Sequence, residues 1–266
     1  MNRIEKRFSQ LKRQRRKAFI AYITAGDPSL GMTARIVTEL EGAGVDIIEL
    51  GIPFSDPLAD GPVIQAASKR ALDGGTTLKK IFSMVKTLRR KTEIPLVFMT
   101  YYNPVLHYGL AKFFKDCHSY GVDGVIVPDL PCEEAKDLMR NARSQRIAAI
   151  FLAAPTSTRK RLKEIAKDST GFIYYVSLTG VTGTRSKLPT QVSANVRSIK
   201  SMTKKPVCVG FGVSSPAQAR TIARIADGVI VGSAIVKTIG DNSKDTSMVS
   251  KVAKLAKRLA SATHKA

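Results

Sequence analysis

Eight short apolar runs punctuate the chain: AFIAYIT (18–24), VDIIELG (45–51), PLVFMTY (95–101), DGVIVPD (123–129), AAIFLAA (148–154), GFIYYVS (171–177), PVCVGFG (206–212) and DGVIVGS (227–233). They are unbroken rather than alternating, which suits strands buried on both faces, as in a parallel sheet. Between them the period lengthens. GMTARIVTELEGAG and GLAKFFKDCHSYG carry apolar residues at helical spacing and close on glycine, a helix stop signal. Three strands share nearly the same opening text, GVDIIELG, GVDGVIVPD and ADGVIVGS, so one strand–helix unit is used repeatedly.

Eight strands alternating with helices predict an α/β fold, a single (β/α)8 TIM barrel. The alternative is an open doubly wound sheet. The barrel is favoured because no GxGxxG follows the first run and because chemistry-bearing residues follow many different runs. Residues 1–16 are expected to form an extra helix covering the barrel floor. No linker or low-complexity stretch divides the chain, so residues 1–266 are read as one domain.

Composition changes this picture little, and charge changes it more. With 44% hydrophobic and 24% charged residues, the chain of 266 residues has material for a packed core. Cys117, Cys132 and Cys208 form no CxxC pair, and are read as reduced thiols in a cytoplasmic protein. The charged N-terminal text is unlike a signal peptide, and no apolar run approaches the roughly 20 residues of a membrane span. The net charge of +22 raises two readings: an anionic macromolecule or surface as partner, or an enzyme with a basic surface and an anionic substrate. Eight Lys and Arg fall in the first 17 residues, and others sit at helical intervals in TRKRLKEIAKD and KVAKLAKRLA, the pattern of solvated helix faces. There is no Trp, and no aromatics interleave with bases. A nucleic-acid-binding protein is therefore the lesser alternative, and neither nucleic acid nor membrane is expected as partner.

In a barrel of this kind, function lies where strands end. Glu49, at the end of the second run, shares a face with Val45 and Ile47 by the two-residue period. If Ile47 points into the barrel, Glu49 stands at the mouth among Tyr22, Met99 and Tyr101. Such a setting raises a carboxyl pKa towards the range useful for proton transfer. The structural alternative is a glutamate paired with a lysine or capping a helix. Asp60, in LADGP, is either a second working carboxylate or a turn residue leading into a helix that begins at Pro62. Asp56 is a weaker candidate. With Pro53 and Pro57 it belongs to a rigid loop folded back over the mouth.

The last three runs carry signs of an anion site. Gly183, Gly212 and Gly232 can bring backbone N–H groups close to an anion, and Ser233 is placed to start a short helix aimed at the same point. Turns after the seventh and eighth strands are the usual barrel site for phosphate. Other chemistry lacks its residues. No lysine lies in any of the eight runs, and His107, His118 and His264 neither end a strand nor have ligand spacing. No metal is expected. What remains is acid–base catalysis by carboxylates on a phosphorylated small molecule.

ELGIPFSDPLADGPVIQ resembles the signature of the tryptophan synthase alpha chain family. The resemblance continues through YITAGDPS, YYNP, VPDLP, GVTG, GFGVSSP and GSAIVK, nearly the whole chain. It implies a (β/α)8 barrel that cleaves indole-3-glycerol phosphate to indole and glyceraldehyde 3-phosphate. It implies no cofactor in this chain, with pyridoxal phosphate in a partner beta chain that consumes the indole, the two forming an alpha2–beta2 tetramer. By resemblance, Glu49 is the general acid/base and Asp60 the second carboxylate. Tyr174, Gly183, Phe211, Gly212, Gly232 and Ser233 surround the phosphate. Tyr22, Met99 and Tyr101 line the indole pocket, and Thr182 helps hold Asp60 on loop closure. Pro53, Asp56 and Pro57 lie on the rim that docks the beta chain. Another phosphate-binding barrel of amino-acid biosynthesis is the rival enzyme reading, but it needs an acid or thiol ending the first run, and AFIAYIT has neither.

Overall fold

The computed structural model describes residues 2–176, 190–210 and 212–266. Strands β1 (Ala18–Thr24), β2 (Ile47–Gly51), β3 (Leu96–Met99), β4 (Gly124–Ile126), β5 (Ala148–Ile150), β6 (Leu152–Ala153), β7 (Ile173–Val176), β8 (Val207–Gly210) and β9 (Gly228–Val231) follow in chain order. Every pairing is parallel. The order β5-β4-β3-β2-β1-β9-β8-β7-β6 brings β5 and β6 to the two ends of the sheet. Those two segments are one barrel strand interrupted at Phe151, so nine segments make the eight staves expected from the eight apolar runs.

Burial explains why those runs lack alternation. All seven residues of β1 and all five of β2 are buried, because one face packs inward and the other meets the helices. The outward residues, such as Phe19, Ile48, Leu50 and Phe98, join the layer under the helices. The inward residues Ala18, Ile20, Ile47, Val97, Ile126, Ile150, Cys208 and Ile230 form a separate inner cluster. Val45 departs from the expectation: it precedes β2 and belongs to the outer layer, so it does not share a face with Ile47 and Glu49.

Helix α1 (Arg3–Arg13) starts with a capping box between Asn2 and Glu5. Its Ile4 and Leu11 are buried in the inner cluster, which closes the barrel floor. The helix is held sideways by a network in which Arg3 and Arg89 share the buried carboxylate of Asp123. Helices α2 (Leu30–Gly42) and α6 (Leu110–Tyr120) correspond to the two periodic stretches, and α6 ends on Gly121 in the left-handed region. The last three residues of YYNP open the helix α5 (Tyr102–Tyr108). The Asp129 carboxylate of VPDLP accepts from the Tyr102 N–H at that helix start. Among the described residues no helix is long and apolar enough to cross a membrane.

Candidate active site

Glu49 sits on β2 opposite Tyr22 of β1 and Val97 of β3, pointing into the barrel above Ile47. It is fully buried, and neither carboxylate oxygen has a hydrogen-bond partner among the described residues. The alternative of a lysine pair or a helix cap therefore does not describe it. Burial pushes its carboxyl up to about 8, so the protonated form dominates at neutral pH. Thr24 ends β1 in the same inward register, and its buried hydroxyl also finds no hydrogen-bond partner among the described residues. Buried polar groups without partners are uncommon and mark places where something else is to bind.

Tyr22 is buried beside Glu49, and burial raises its hydroxyl pKa first, with Asp60 and Glu49 adding to the effect. The ring has room because residue 51 is glycine; a Cβ there would fall on the Tyr22 hydroxyl. Tyr174, on β7, is inward-facing too, and its hydroxyl is raised by burial and then by Glu49. Met99 packs against both the inner cluster and the group at the mouth.

Asp60 lies in the loop between β2 and α3 (Pro62–Asp73), where it is half-buried. The helix is capped by Gly61 without any side-chain cap, so Asp60 is not spent on the helix start. Its backbone is fixed at both ends: the N–H donates to the Pro57 carbonyl at 3.0 Å, and the carbonyl accepts from Gln65 Nε2 at 2.8 Å. Burial raises its carboxyl, and the Tyr101 hydroxyl works in the opposite direction. Asp60 is thus less wet than a loop position suggests. Tyr101 also accepts from the Ala59 N–H at 2.9 Å and packs on Phe54 with ring centroids 5.5 Å apart. One tyrosine thereby fastens the loop that carries Asp60.

The rest of the loop faces outward in part. Pro53 is buried, Pro57 half-buried and Asp56 exposed. Leu58 is 85% exposed and Leu106, on α5, 57% exposed.

Across the mouth, Gly232 caps α11 (Ser233–Asp241), whose first residue is Ser233. Gly212 has φ +57, which glycine alone adopts freely, and among the described residues a Cβ there would meet nothing within 4 Å. Gly212 follows β8, which pairs with the β9 strand that leads into the N-terminus of α11, a combination suited to an anion. Thr182, Gly183 and Phe211 lie outside the described residues.

Several residues here escape sequence reasoning. Ile64 and Ala67 of α3 and Val236 of α11 pack with Tyr22 to form the apolar wall of the mouth. Their helical spacing marks a buried face but not which cavity it meets. Asp27, almost fully buried after β1, takes Arg70 of α3 as a bidentate partner at 2.8 Å for both contacts. That pair is separated by 43 residues and has no local signal. Among the described residues, one group has metal-ligand types: Cys132, Glu133 and Glu164. Arg161 already binds both Glu133 oxygens, which disfavours a cation there.

A parallel barrel with a buried acid at the carboxyl ends of its strands, unpaired among the described residues, is a (β/α)8 barrel with a candidate active site at its mouth. The family model for the tryptophan synthase alpha chain matches residues 8–264. A tryptophan synthase alpha chain from Geotalea daltonii is 51% identical over 237 residues, 89% of this chain and 90% of that one. The crystal structure of tryptophan synthase subunit alpha from Legionella pneumophila superposes with a TM-score of 0.92 at 36% identity, covering 99% of this chain and 98% of that one. A chain of Mycobacterium tuberculosis tryptophan synthase gives 0.90 at 37% identity, again covering 99% and 98%. The chain belongs to the tryptophan synthase alpha chain family, enzymes of tryptophan synthesis.

Proposed function

We propose that the chain cleaves indole-3-glycerol phosphate to indole and glyceraldehyde 3-phosphate, as a carbon–carbon lyase needing no cofactor of its own. The observation that supports this best is the isolation of Glu49: a fully buried carboxyl, protonated at neutral pH, with neither oxygen partnered among the described residues. Glu49 donates its proton to the indole carbon that bears the glycerol chain. Positive charge then develops at the ring nitrogen, whose N–H is bound by the Asp60 carboxylate. The Glu49 carboxylate next takes the proton of the neighbouring hydroxyl. The carbon–carbon bond breaks, its electron pair returns to the indole ring, and an aldehyde forms. Glu49 ends the cycle protonated, so one group serves as acid and then base.

Tyr22, Met99 and Tyr101 bound the indole site in this reading. Gly212, Gly232 and Ser233 hold the phosphate together with Tyr174, Gly183 and Phe211, while Thr182 secures Asp60. The beta chain docks on the rim formed by Asp56, Pro57, Leu58 and Leu106, with Pro53 shaping the loop from beneath. Two large exposed leucines on one rim support a protein partner. The expected assembly is an alpha2–beta2 tetramer in the cytoplasm, with pyridoxal phosphate in the beta chain.

The test is an indole-release assay on purified chain, with and without a cognate beta chain. Indole should form from indole-3-glycerol phosphate alone, and size exclusion of the mixture should show a larger complex. Absence of indole in both conditions overturns the reaction. Independent elution at micromolar concentration overturns the partner.

A further inference from the structure

Four buried side-chain polar atoms lack a hydrogen-bond partner among the described residues, and three of them are at the mouth: Thr24 Oγ1 and the two Glu49 oxygens. The fourth is Nε of Arg16, at the opposite end of the barrel. Arg16 spends its terminal nitrogens on His264 Nδ1 and Gln14 Oε1. It lines a cavity of about 840 Å³ between the end of α1 and the loops that lead into β7 and β8.

The cavity gathers seven of the 43 Lys and Arg of the chain. Two carboxylates line it, and both are committed: Glu5 accepts from the Asn2 N–H, while Asp227 holds Lys17 and Lys200. Lys205 is turned onto the Ala166 and Lys167 carbonyls at 2.8 and 2.7 Å. Lys12, Arg15 and Lys204 also line it and form no ion pair among the described residues. Arg15 stands at φ 54, a left-handed conformation that glycine would adopt without strain. Phe8, half-buried and packed on Phe172, adds an aromatic flank.

We propose that this floor cavity binds a polyphosphate group, free or carried by a nucleotide. Guanidinium and ammonium groups around a concave site favour phosphate oxygens over a neutral ligand. A volume of about 840 Å³ admits a nucleotide-sized molecule. The ligand bridges α1 to the loops beneath β7 and β8, so it binds the folded chain and raises its stability by mass action.

Calorimetric titration of the full chain in 0.15 M salt tests this with two probes, inorganic tripolyphosphate and adenosine triphosphate. One site per chain is expected. The combined substitution Lys12→Ala, Arg15→Gly and Lys204→Ala should weaken it at least tenfold and leave indole release unchanged. Arg15→Gly suits the local backbone; should the triple variant fail to fold, Lys204→Glu alone should weaken binding in the same direction. Tighter binding of the nucleotide assigns the ligand to nucleotides, and equal binding assigns it to the phosphate chain. Either result supports the site. No binding at millimolar probe, equal binding by the variants, or displacement of the probe by glycerol 3-phosphate, which belongs to the mouth, overturns it. So does single-stranded RNA binding many chains per strand with affinity that collapses in salt. Failure of indole release leaves this result untouched, so the two readings fall separately.

Discussion

At the floor of the barrel, Ile4 and Leu11 of α1 fill the opening between the strands, and the charges around them lie at or near the surface. At the mouth the arrangement is reversed: Glu49 is buried in the middle, and apolar residues from α3 and α11 stand around it. A hydrophobic plug needs only volume and shape. A carboxyl placed where a plug would fit costs stability, because ionising it without water or a partner is unfavourable. Among the described residues, the buried carboxylate oxygens without a partner are those of Glu49, at the mouth. Folding chemistry alone would place an isoleucine at position 49 as readily as at position 47.

The sharpest way to break this contrast is Glu49→Gln. The amide keeps the shape but cannot donate and recover a proton. Indole release should fall by about 10³–10⁴-fold, the upper range for general acid–base catalysis. Binding of a phosphate-bearing product analogue should stay near wild type. Turnover within tenfold of wild type, measured by indole formation, would remove Glu49 from the mechanism.

Asp60→Asn follows in size. A single preorganised electrostatic contact is typically worth about 10²–10³ in rate. The substitution leaves the helix cap alone, since Gly61 occupies that position, so melting temperature should not change. A drop of less than fivefold in kcat/KM would return Asp60 to the status of a turn residue.

The unlike solvation of the two ends also shows in the dependence of stability on pH. Glu49 titrates near 4.5 when unfolded and near 8 when folded. Between those values the folded chain holds more protons than the unfolded chain, so its stability falls as pH rises. The favourable contribution is complete below about 4.5 and gone above about 8. From pH 5 to 8 wild type should lose about 3 kcal/mol through this one group, a loss that Glu49→Gln should not show. Urea unfolding of both proteins across that range measures it, and parallel curves would mean the site is wetter than its geometry implies.

The legibility of the chain divides along the same axis. Unbroken apolar runs identify strands buried on both sides, and the two-residue period from Ile47 correctly turns Glu49 inward. Such patterns depend only on neighbours in sequence. The interruption at Phe151, the outward placement of Val45 and the absorption of YYNP into α5 depend on how strands and helices meet across the barrel. Two features of the candidate site were invisible for the same reason. Tyr101 fastens the Asp60 loop from 42 residues away, and the solitude of Glu49 among the described residues is defined by what fails to approach it. The net charge is the converse case: a number plain in the composition, whereas the gathering of seven of the 43 bases around one floor cavity required the fold.

Arg15→Gly gives the smallest effect and sharpens the contrast from the other end. Arg15 lies two residues beyond the end of α1 with φ 54, whereas most helices that finish this way use glycine. Its side chain has no ion pair to offset that strain among the described residues. Replacing it should stabilise the ligand-free chain by up to about 1 kcal/mol, the lower end of the left-handed penalty. The loss of one like-charged neighbour for Lys12 and Lys204 adds in the same direction. Urea unfolding at low salt reads both contributions, and added salt removes only the second. A destabilised variant would mean that the guanidinium makes a contact supporting the floor. A stabilised one shows that the floor, like the mouth, holds a residue that folding alone does not favour.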